Sequence, residues 1–532
     1  MRTRRWPGRL AYAGLLAVPL AFLGLYFVWP VLGLLERGFT TEAQAPWASE
    51  RTGRAILTTV ELGLGATLIA IAIGLPAAWA LHRRQWPGRT LVRSILSVPF
   101  ALPTVVVALA FSALYRANGW LGWTGLDQSF AGIAIALAFF NVSVILRVVG
   151  GSWEALGDGS IAAARTLGAS RWVAWRKVTL PALTPAIASA AAIVFLFSST
   201  SLGLVLVLGG TRIYTVETEI WIQANTFLDL RTASILALVQ LLLVGITLAV
   251  SAATRKRAER ALPQRSAHQA LRATQRDVLP IIAALVPATV LIAVPLLALT
   301  RGSISTSSGW GFDNFARLGN AVPTLGYSML DAAENSLRAA AIATPVAVIL
   351  GTVLAYALSR GQRRGWLDTL IMLPLGVSAV IVGLGILVSA PRALLDPRWA
   401  IPAAQALVAM PLVVRTVAPL MRSIQPGIRA AAQTLGATPW REWWTVEWPM
   451  VRRAVGLSTG LAAAVSLGEF GATTFLARPD HPTLPTAIVR LLGRPGLENV
   501  GQAMAGAVVL ALLTGGIMAL SERLRVPGTG EV

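Results

Sequence analysis

The 532-residue chain contains no cysteine, three histidines and few charged residues. Without cysteine it has no disulfides, no thiolate zinc sites and no thiol chemistry. The histidines, His82, His268 and His481, are too dispersed for a histidine-based metal cluster. Asp, Glu, Lys and Arg make up 13% of the residues, against roughly 25% in soluble proteins. The sequence therefore predicts no metal site and no cofactor, and it does not predict an ordinary soluble protein.

Lysine is also nearly absent, since Lys177 and Lys256 are the only two. Each follows an arginine, whereas a phosphate-binding loop requires Gly-Lys followed by Ser or Thr. The apolar runs contain no paired carboxylates and no nucleophile placed beside a histidine. We therefore predict that the chain is not an enzyme and has no ATPase site of its own.

Apolar residues, in contrast, make up 55% of the chain. They recur in runs of about 20 residues, the length that spans a bilayer. The first six predicted spans lie at roughly 10–35, 55–81, 94–115, 130–149, 183–208 and 232–254, and the second six at roughly 278–299, 335–358, 367–389, 400–421, 451–477 and 499–521. The first run is too long for a cleaved signal peptide, so we predict that it is retained.

The net charge of +21 comes from short clusters of arginine between the apolar runs. A nucleic-acid-binding domain would instead concentrate its basic residues on one face, so we predict membrane lipid as a partner and no nucleic acid. With the N-terminus inside, the inner segments hold roughly twice as many Lys and Arg as the outer ones, as the positive-inside rule expects. This distribution predicts a multi-pass protein with both termini in the cytoplasm.

One polar segment occurs twice, 268 positions apart. The first copy contains Ala162, Ala163, Ala164, Thr166, Leu167, Gly168, Ala169, Trp172 and Pro181, and the second contains Ala430, Ala431, Ala432, Thr434, Leu435, Gly436, Ala437, Trp440 and Pro449. Ser201-Leu202-Gly203 likewise parallels Ser466-Leu467-Gly468. We predict two parallel six-helix halves, 1–254 and 278–532, joined by a cytoplasmic linker at 255–277 and related by a pseudo-two-fold axis along the membrane normal.

Each copy, 162–181 and 430–449, is predicted to fold as a helix, a turn and a second short helix. Gly168 and Gly436 can adopt the left-handed conformation that ends a helix. Trp172 and Trp175 can share one helical face, and Pro181 and Pro449 are predicted to end the second helix where the next span begins. Such an aromatic, basic element suits either a groove on a partner protein or the lipid headgroup region.

The repeated pattern resembles the EAA loop of bacterial ABC importer permeases, which reads Glu-Ala-Ala, three residues, Gly, nine residues, then Ile-x-Leu-Pro. Gly168 and Pro181 match it, as do Gly436 and Pro449, whereas Ala162 and Ala430 replace the glutamate. The resemblance implies an all-α membrane protein with about twelve helices in two fused MetI-like halves. It also implies that both segments couple to ABC ATP-binding subunits, which form a dimer, and that an extracytoplasmic solute-binding protein delivers the cargo at the bacterial inner membrane.

In its length and its two fused halves the chain resembles the permeases for thiamine, with those for ferric iron as the alternative. Leu206–Thr211 and Thr215–Ile220 look like a thiamine-permease stretch, so thiamine or its phosphates are the predicted solute. An ion-driven secondary transporter is a further alternative, although it would need paired acidic groups within the spans. The predicted pathway residues are polar positions inside or near the spans, namely Glu469, Ser201, Ser466 and Asn141.

Two of these pathway residues allow a structural role instead. Glu469 either attracts a cationic solute or caps a helix break between Gly468 and Gly471, because a charge within a span is costly. Asn141 either contacts solute or links neighbouring helices by hydrogen bonds, as polar residues in membrane helices commonly do.

Overall fold

The computed structural model describes residues 9–39, 50–97, 99, 102–156, 159–210, 212–261, 271–307, 309–323, 325–360, 371, 373–374 and 377–523. These residues are predominantly helical. The described strands are four two-residue segments: Arg84–Gln85 (β1) pairs in parallel with Leu271–Arg272 (β2), and Ser305–Thr306 (β3) pairs antiparallel with Gly309–Trp310 (β4).

The first half of the chain contains twelve described α-helices. They are α1 Arg9–Leu23, α2 Trp29–Phe39, α3 Glu50–His82, α4 Arg89–Ser97, α5 Thr104–Tyr115, α6 Phe130–Ala155, α7 Gly159–Thr166, α8 Arg171–Ala174, α9 Leu180–Ser199, α10 Leu202–Gly209, α11 Val216–Asn225 and α12 Leu230–Ala261. Helix α12 extends into the predicted linker, of which 262–270 lie outside the described residues.

The second half repeats much of this order. Its described helices are α13 Val278–Ile304, α14 Asp313–Ala316, α15 Met329–Arg360, α16 Ala379–Ser389, α17 Pro397–Ser423, α18 Pro426–Thr434, α19 Pro439–Glu442, α20 Trp448–Gly468, α21 Thr473–Leu476, α22 Leu484–Leu492 and α23 Leu497–Glu522. Among the residues that the structure describes, nine helices are long and apolar enough to cross a membrane. The prediction of an all-α membrane protein is confirmed.

Four predicted spans are wrong as single helices. In the run 367–389, helix α16 begins only at Ala379, because Val377 and Ser378 before it are not helical. The run 94–115 is divided between α4 and α5, and Pro103 stands just before α5, where its fixed φ and missing N–H suit a helix start. The run 183–208 breaks at Thr200 and Ser201, between α9 and α10. The run 451–477 stops being helical after Gly468. Hydropathy does not register such interruptions, because the residues around them remain apolar.

The same hydrogen bond recurs at equivalent places in the two halves. The N–H of Val216, at the start of α11, donates to Thr59 Oγ1 at 2.9 Å. The N–H of Leu484, at the start of α22, donates to Ser336 Oγ at 2.7 Å. In both cases a hydroxyl of a long helix holds the first turn of a short one. The contact agrees with the duplication read from the sequence.

Close helix packing also recurs. A Cβ atom added to Gly74 would lie 2.8 Å from Ile145 Cβ, at the contact of α3 with α6. A Cβ added to Gly351 would lie 2.7 Å from Val413 Cβ, at the contact of α15 with α17. Small residues let membrane helices approach closely, which replaces the hydrophobic driving force that lipid does not supply.

The first helices of the two halves pack against the opposite half. Helix α2 lies on α16, where Gly33 meets Ser389 and Gly385 meets Pro30. Helix α13 lies on α3 and α5. The N-terminal ends of α5 and α16 line the same space between the two halves.

Candidate functional site

The two repeated segments end their first helix in the same way. Gly168 has φ +87° and Gly436 has φ +81°. The N–H of Ala169 donates to Ala164 O at 3.0 Å, and the equivalent bond from Ala437 is also 3.0 Å. A left-handed residue closed by such a bond is the usual helix ending for glycine, because a side chain there is strained. The predicted helix–turn–helix is confirmed in both copies.

Four apolar side chains project from these turns, and we call them the tip residues. Leu167 and Leu435 are each 88% exposed, Trp172 is 64% exposed and Trp440 is 71% exposed. The Trp172 and Trp175 rings stack with centroids 5.0 Å apart, so they share a face. Exposed apolar side chains grouped in this way mark surfaces that another molecule covers.

The prediction that Pro181 and Pro449 end a helix is wrong. A π turn at Trp175–Thr179 joins α8 to α9, and one at Trp443–Glu447 joins α19 to α20. In both, the N–H of the residue before the proline bonds to the carbonyl five residues back. Proline lacks an N–H and crowds the carbonyl four residues before it, so a widened turn lets the helix continue. Each repeated segment is therefore continuous with the long helix that follows it.

A buried charge cluster anchors the second copy. Arg360, at the end of α15, lies 2.5 Å from Glu442 and 2.7 Å from Glu447, and both carboxylates are 1% exposed. Arg429 Nε lies 2.7 Å from Glu447 Oε1, and Gln433 donates to Glu442 at 3.1 Å. The cluster thus ties α18 and α19 to the membrane-spanning helix α15.

The first copy lacks this cluster, because Ile161, Ala174 and Thr179 occupy the positions of Arg429, Glu442 and Glu447. A different ion cluster lies nearby. His82 Nδ1 is 2.9 Å from Glu154 Oε1, and two arginines of α4 are 3.3 Å from the same oxygen. That cluster joins α3, α4 and α6, and it contains no residue of the first repeated segment.

A cavity of about 220 Å³ lies where the two halves meet. Its lining comes from 102–104 and 200–203 in the first half and from 378–380, 408, 464–465 and 468–471 in the second. Glu469 is the one ionisable residue among them. The helix interruptions at Pro103, Thr200 and Gly468 all face this space. In the part of the chain that the structure describes, no group of three or more His, Asp or Glu residues could hold a metal ion.

Glu469 lines this cavity and also begins a helix. Its Oε1 accepts the N–H of Ala472 at 2.7 Å, and its Oε2 accepts the N–H of Thr473 at 3.0 Å. Both oxygens therefore satisfy backbone donors at the start of α21, which would otherwise be left without partners in a buried place. A role for Glu469 in solute passage stays a prediction.

The other predicted pathway residues are placed unequally. Ser201 lines the cavity, and its Oγ has no hydrogen-bond partner. Ser466 is fully buried two residues before the end of α20, and its Oγ also has no hydrogen-bond partner. Asn141 lies away from the cavity lining, where its Nδ2 donates to Leu137 O at 2.8 Å and to Ser198 Oγ at 3.0 Å. Asn141 thus connects α6 to α9.

Glu217 is not among the pathway residues predicted from the sequence, and the structure buries it completely at the boundary of the halves. Its Oε2 accepts a hydrogen bond of 2.8 Å from Ser378 Oγ, and Ser378 lines the cavity. The sequence contains one signal for Glu217. Its counterpart 268 residues later is Pro485, so the duplication does not require a carboxylate at position 217.

Substitutions at the positive-φ glycine test whether the turn geometry matters. Gly168→Val should lower transport roughly five- to thirty-fold, because the left-handed conformation at this position costs a valine about 1–2 kcal/mol. No atom lies within 4 Å of an added Cβ, so the penalty comes from the backbone alone. Gly168→Asn is the matched control, since asparagine tolerates this conformation. Solute uptake at equal membrane levels of both variants is the measurement, and equal loss in both would contradict the explanation.

Comparison with known proteins shows which protein family the chain resembles. Residues 66–256 match the family described as binding-protein-dependent transport system inner membrane component. The sulfate transport system permease protein CysT of Escherichia coli (strain K12) is 33% identical over 215 residues, which cover 38% of this chain and 76% of that protein.

Two similar proteins match over a greater length. The thiamine transport system permease protein ThiP of Brucella abortus (strain 2308) is 26% identical over 486 residues, which cover 87% of this chain and 86% of the relative. The ThiP protein of Haemophilus influenzae is 24% identical over 525 residues, which cover 94% of each chain. The chain, a multi-pass helical membrane protein, therefore belongs to the family of inner membrane components of binding-protein-dependent transport systems.

Proposed function

We propose that this chain is a membrane-spanning permease subunit of an ATP-driven importer for thiamine or its phosphates. Two ATP-binding subunits dock on 162–181 and 430–449 at the cytoplasmic face, and an extracytoplasmic binding protein delivers the solute. The division into halves at 1–254 and 278–532, with both termini inside, belongs to the same proposal. The chief support for coupling is the pair of exposed turns with matching backbone geometry.

The length of the similarity supports thiamine. The thiamine permeases match 87% and 94% of the length of this chain. A match of this length includes both repeated segments. The sulfate permease, in contrast, corresponds to 38% of the chain, so it bears on one half at most.

Sulfate is the second candidate, because its permease has the higher identity of the relatives compared here, 33%. The cavity opposes it. Among the described lining residues one is acidic and none is basic, so the lining supplies no positive charge to replace the water around a doubly charged anion. Ferric iron and an ion-driven secondary transporter stay alternatives that the same experiment separates.

The test is solute uptake into cells that lack the chain's gene and regain it on a plasmid. We expect ATP-dependent uptake of labelled thiamine that is restored only with the plasmid, and no restored uptake of sulfate or ferric iron. Uptake that persists without ATP but collapses with an uncoupler would contradict the ATP-driven mechanism. Restored sulfate uptake without thiamine uptake would overturn the cargo.

A further inference from the structure

Helix α11 of the first half is hydrogen-bonded to the second half at two places. Near its start, Glu217 Oε2 accepts a bond of 2.8 Å from Ser378 Oγ, the residue just before α16. One turn later, Trp221 Nε1 donates to Thr474 Oγ1 at 2.9 Å. Any motion that separates helix α11 from the second half must break both bonds.

The Glu217 carboxylate is incompletely satisfied. It is 0% exposed, and its Oε1 has no hydrogen-bond partner. A buried carboxylate with one oxygen unbonded is costly, and its position in the first turn of α11 offsets part of that cost through the helix dipole. Glu219 on the same helix differs, because Arg51 lies 2.9 Å away and Gln223 donates to it at 2.7 Å. Glu217 alone of this pair would gain an ion-pair partner from an arriving cation.

Ser378, which donates a hydrogen bond to Glu217, also borders the cavity between the halves. Ser378 is in the lining, together with Ser201, whose buried Oγ has no hydrogen-bond partner. The lining contains no Lys or Arg among the described residues, so nothing basic competes for the carboxylate there. The volume of about 220 Å³ is below the about 300–1,000 Å³ of ordinary ligand pockets. In this conformation the space would hold one part of a solute, such as a single ring.

We propose that Glu217 recognises an organic cation on the translocation pathway. Ser378 covers the carboxylate in the present conformation, and separation of the halves uncovers it to the cavity. An incoming positively charged ring then pairs with the carboxylate, while the hydroxyls of Ser201 and Ser378 offer hydrogen bonds. The inference rests on the importer function proposed above and names the charge that its pathway selects.

Charge and hydrogen bonding at α11 can be separated by substitution. Glu217→Gln should raise the KM for uptake of thiamine, which is cationic, about tenfold or more, because a buried ion pair is lost. Uptake of thiamine diphosphate, which carries the same positively charged ring, should show a rise in KM of similar size. Glu217→Asp keeps the charge and should retain most of the affinity. Trp221→Phe is the matched control, since it removes the other bond between the halves without changing charge.

Equal effects of Glu217→Gln and Trp221→Phe on both solutes would overturn the proposal, because they would show that the helix merely holds the halves together. An unchanged KM in Glu217→Gln would overturn it as well. If the unmodified transporter imports thiamine in these experiments, the importer function stands whichever result is obtained. If it imports sulfate and not thiamine, the cargo assignment and the cation-recognition proposal both fail.

A second measurement tests whether Glu217 becomes uncovered. Because the chain has no cysteine, Glu217→Cys would carry the single thiol, and a cationic methanethiosulfonate reagent would report its exposure. We expect labelling to increase severalfold when the full transporter hydrolyses ATP. Ile220→Cys, a 0% exposed position on the same helix, should stay unlabelled. Absence of labelling at Glu217→Cys during hydrolysis would overturn the proposed exposure.

Discussion

Replacing Leu167 and Leu435 together by aspartate is expected to abolish ATP-driven uptake while the protein remains folded in the membrane. Both side chains are 88% exposed, so a polar replacement has little effect on folding. A central apolar contact at an interface is worth about 2 kcal/mol or more, which weakens binding roughly 30-fold at each site. Co-purification of the ATP-binding subunits and ATP-dependent uptake are the measurements.

Leu497→Asp is the control for this double variant. Leu497 is 79% exposed at the start of α23. We predict that this end of α23 lies on the outer side of the membrane. It should leave both the copurified subunits and uptake unchanged. If the double variant still binds the ATP-binding subunits at wild-type levels, the tip residues are not the docking surface, and lipid contact by the tryptophans becomes the better interpretation.

Removing Arg360 is expected to give the largest loss of stability. Arg360→Gln leaves the 1% exposed carboxylates of Glu442 and Glu447 short of a positive partner. Breaking a buried ion pair from one side costs about 3–5 kcal/mol, since the remaining charge stays desolvated. We expect a clearly lowered unfolding temperature in detergent and weaker coupling through the second repeated segment. Thermal unfolding of the purified chain, followed by circular dichroism, is the measurement.

The same helix offers a matched control. Arg338 pairs with Glu334 on α15, but both side chains are more than half exposed. Arg338→Gln should therefore cost less than about 1 kcal/mol. Adding Glu442→Gln to Arg360→Gln should recover part of the lost stability, because it removes one of the uncompensated charges. Equal destabilisation by Arg338→Gln and Arg360→Gln would show that the buried cluster contributes no more to stability than an exposed ion pair.

Several features of the site were predictable from local chemistry. Gly168 and Gly436 recur with fixed spacing, and a glycine after an alanine-rich run identifies a helix end whatever surrounds it. Trp172 and Trp175 share a face because helical spacing alone places them together. The error at Pro181 and Pro449 has a local cause too, since a π turn absorbs the missing hydrogen bond and leaves no compositional trace.

Other features could not be read in this way. Glu469 satisfies two backbone N–H groups of a helix that starts only because α20 ends at Gly468. Arg360 reaches Glu442 across 82 residues, and Glu217 reaches Ser378 across 161. Pairings of this range depend on which helices are neighbours, and hydropathy contains no information about neighbours.

The sequence by itself determined that the chain is helical, lies in the membrane and carries the same polar turn twice, because apolar length and local turn chemistry act within a few residues. Only the tertiary structure decided that the first helix of each half packs on the opposite half. It also decided that interrupted helices surround a cavity where the two halves meet. There the buried carboxylate of Glu217 lies beside Ser378 of the other half. The physical reason is that close packing and buried hydrogen bonds join distant segments, so their partners exist only once the helices have assembled.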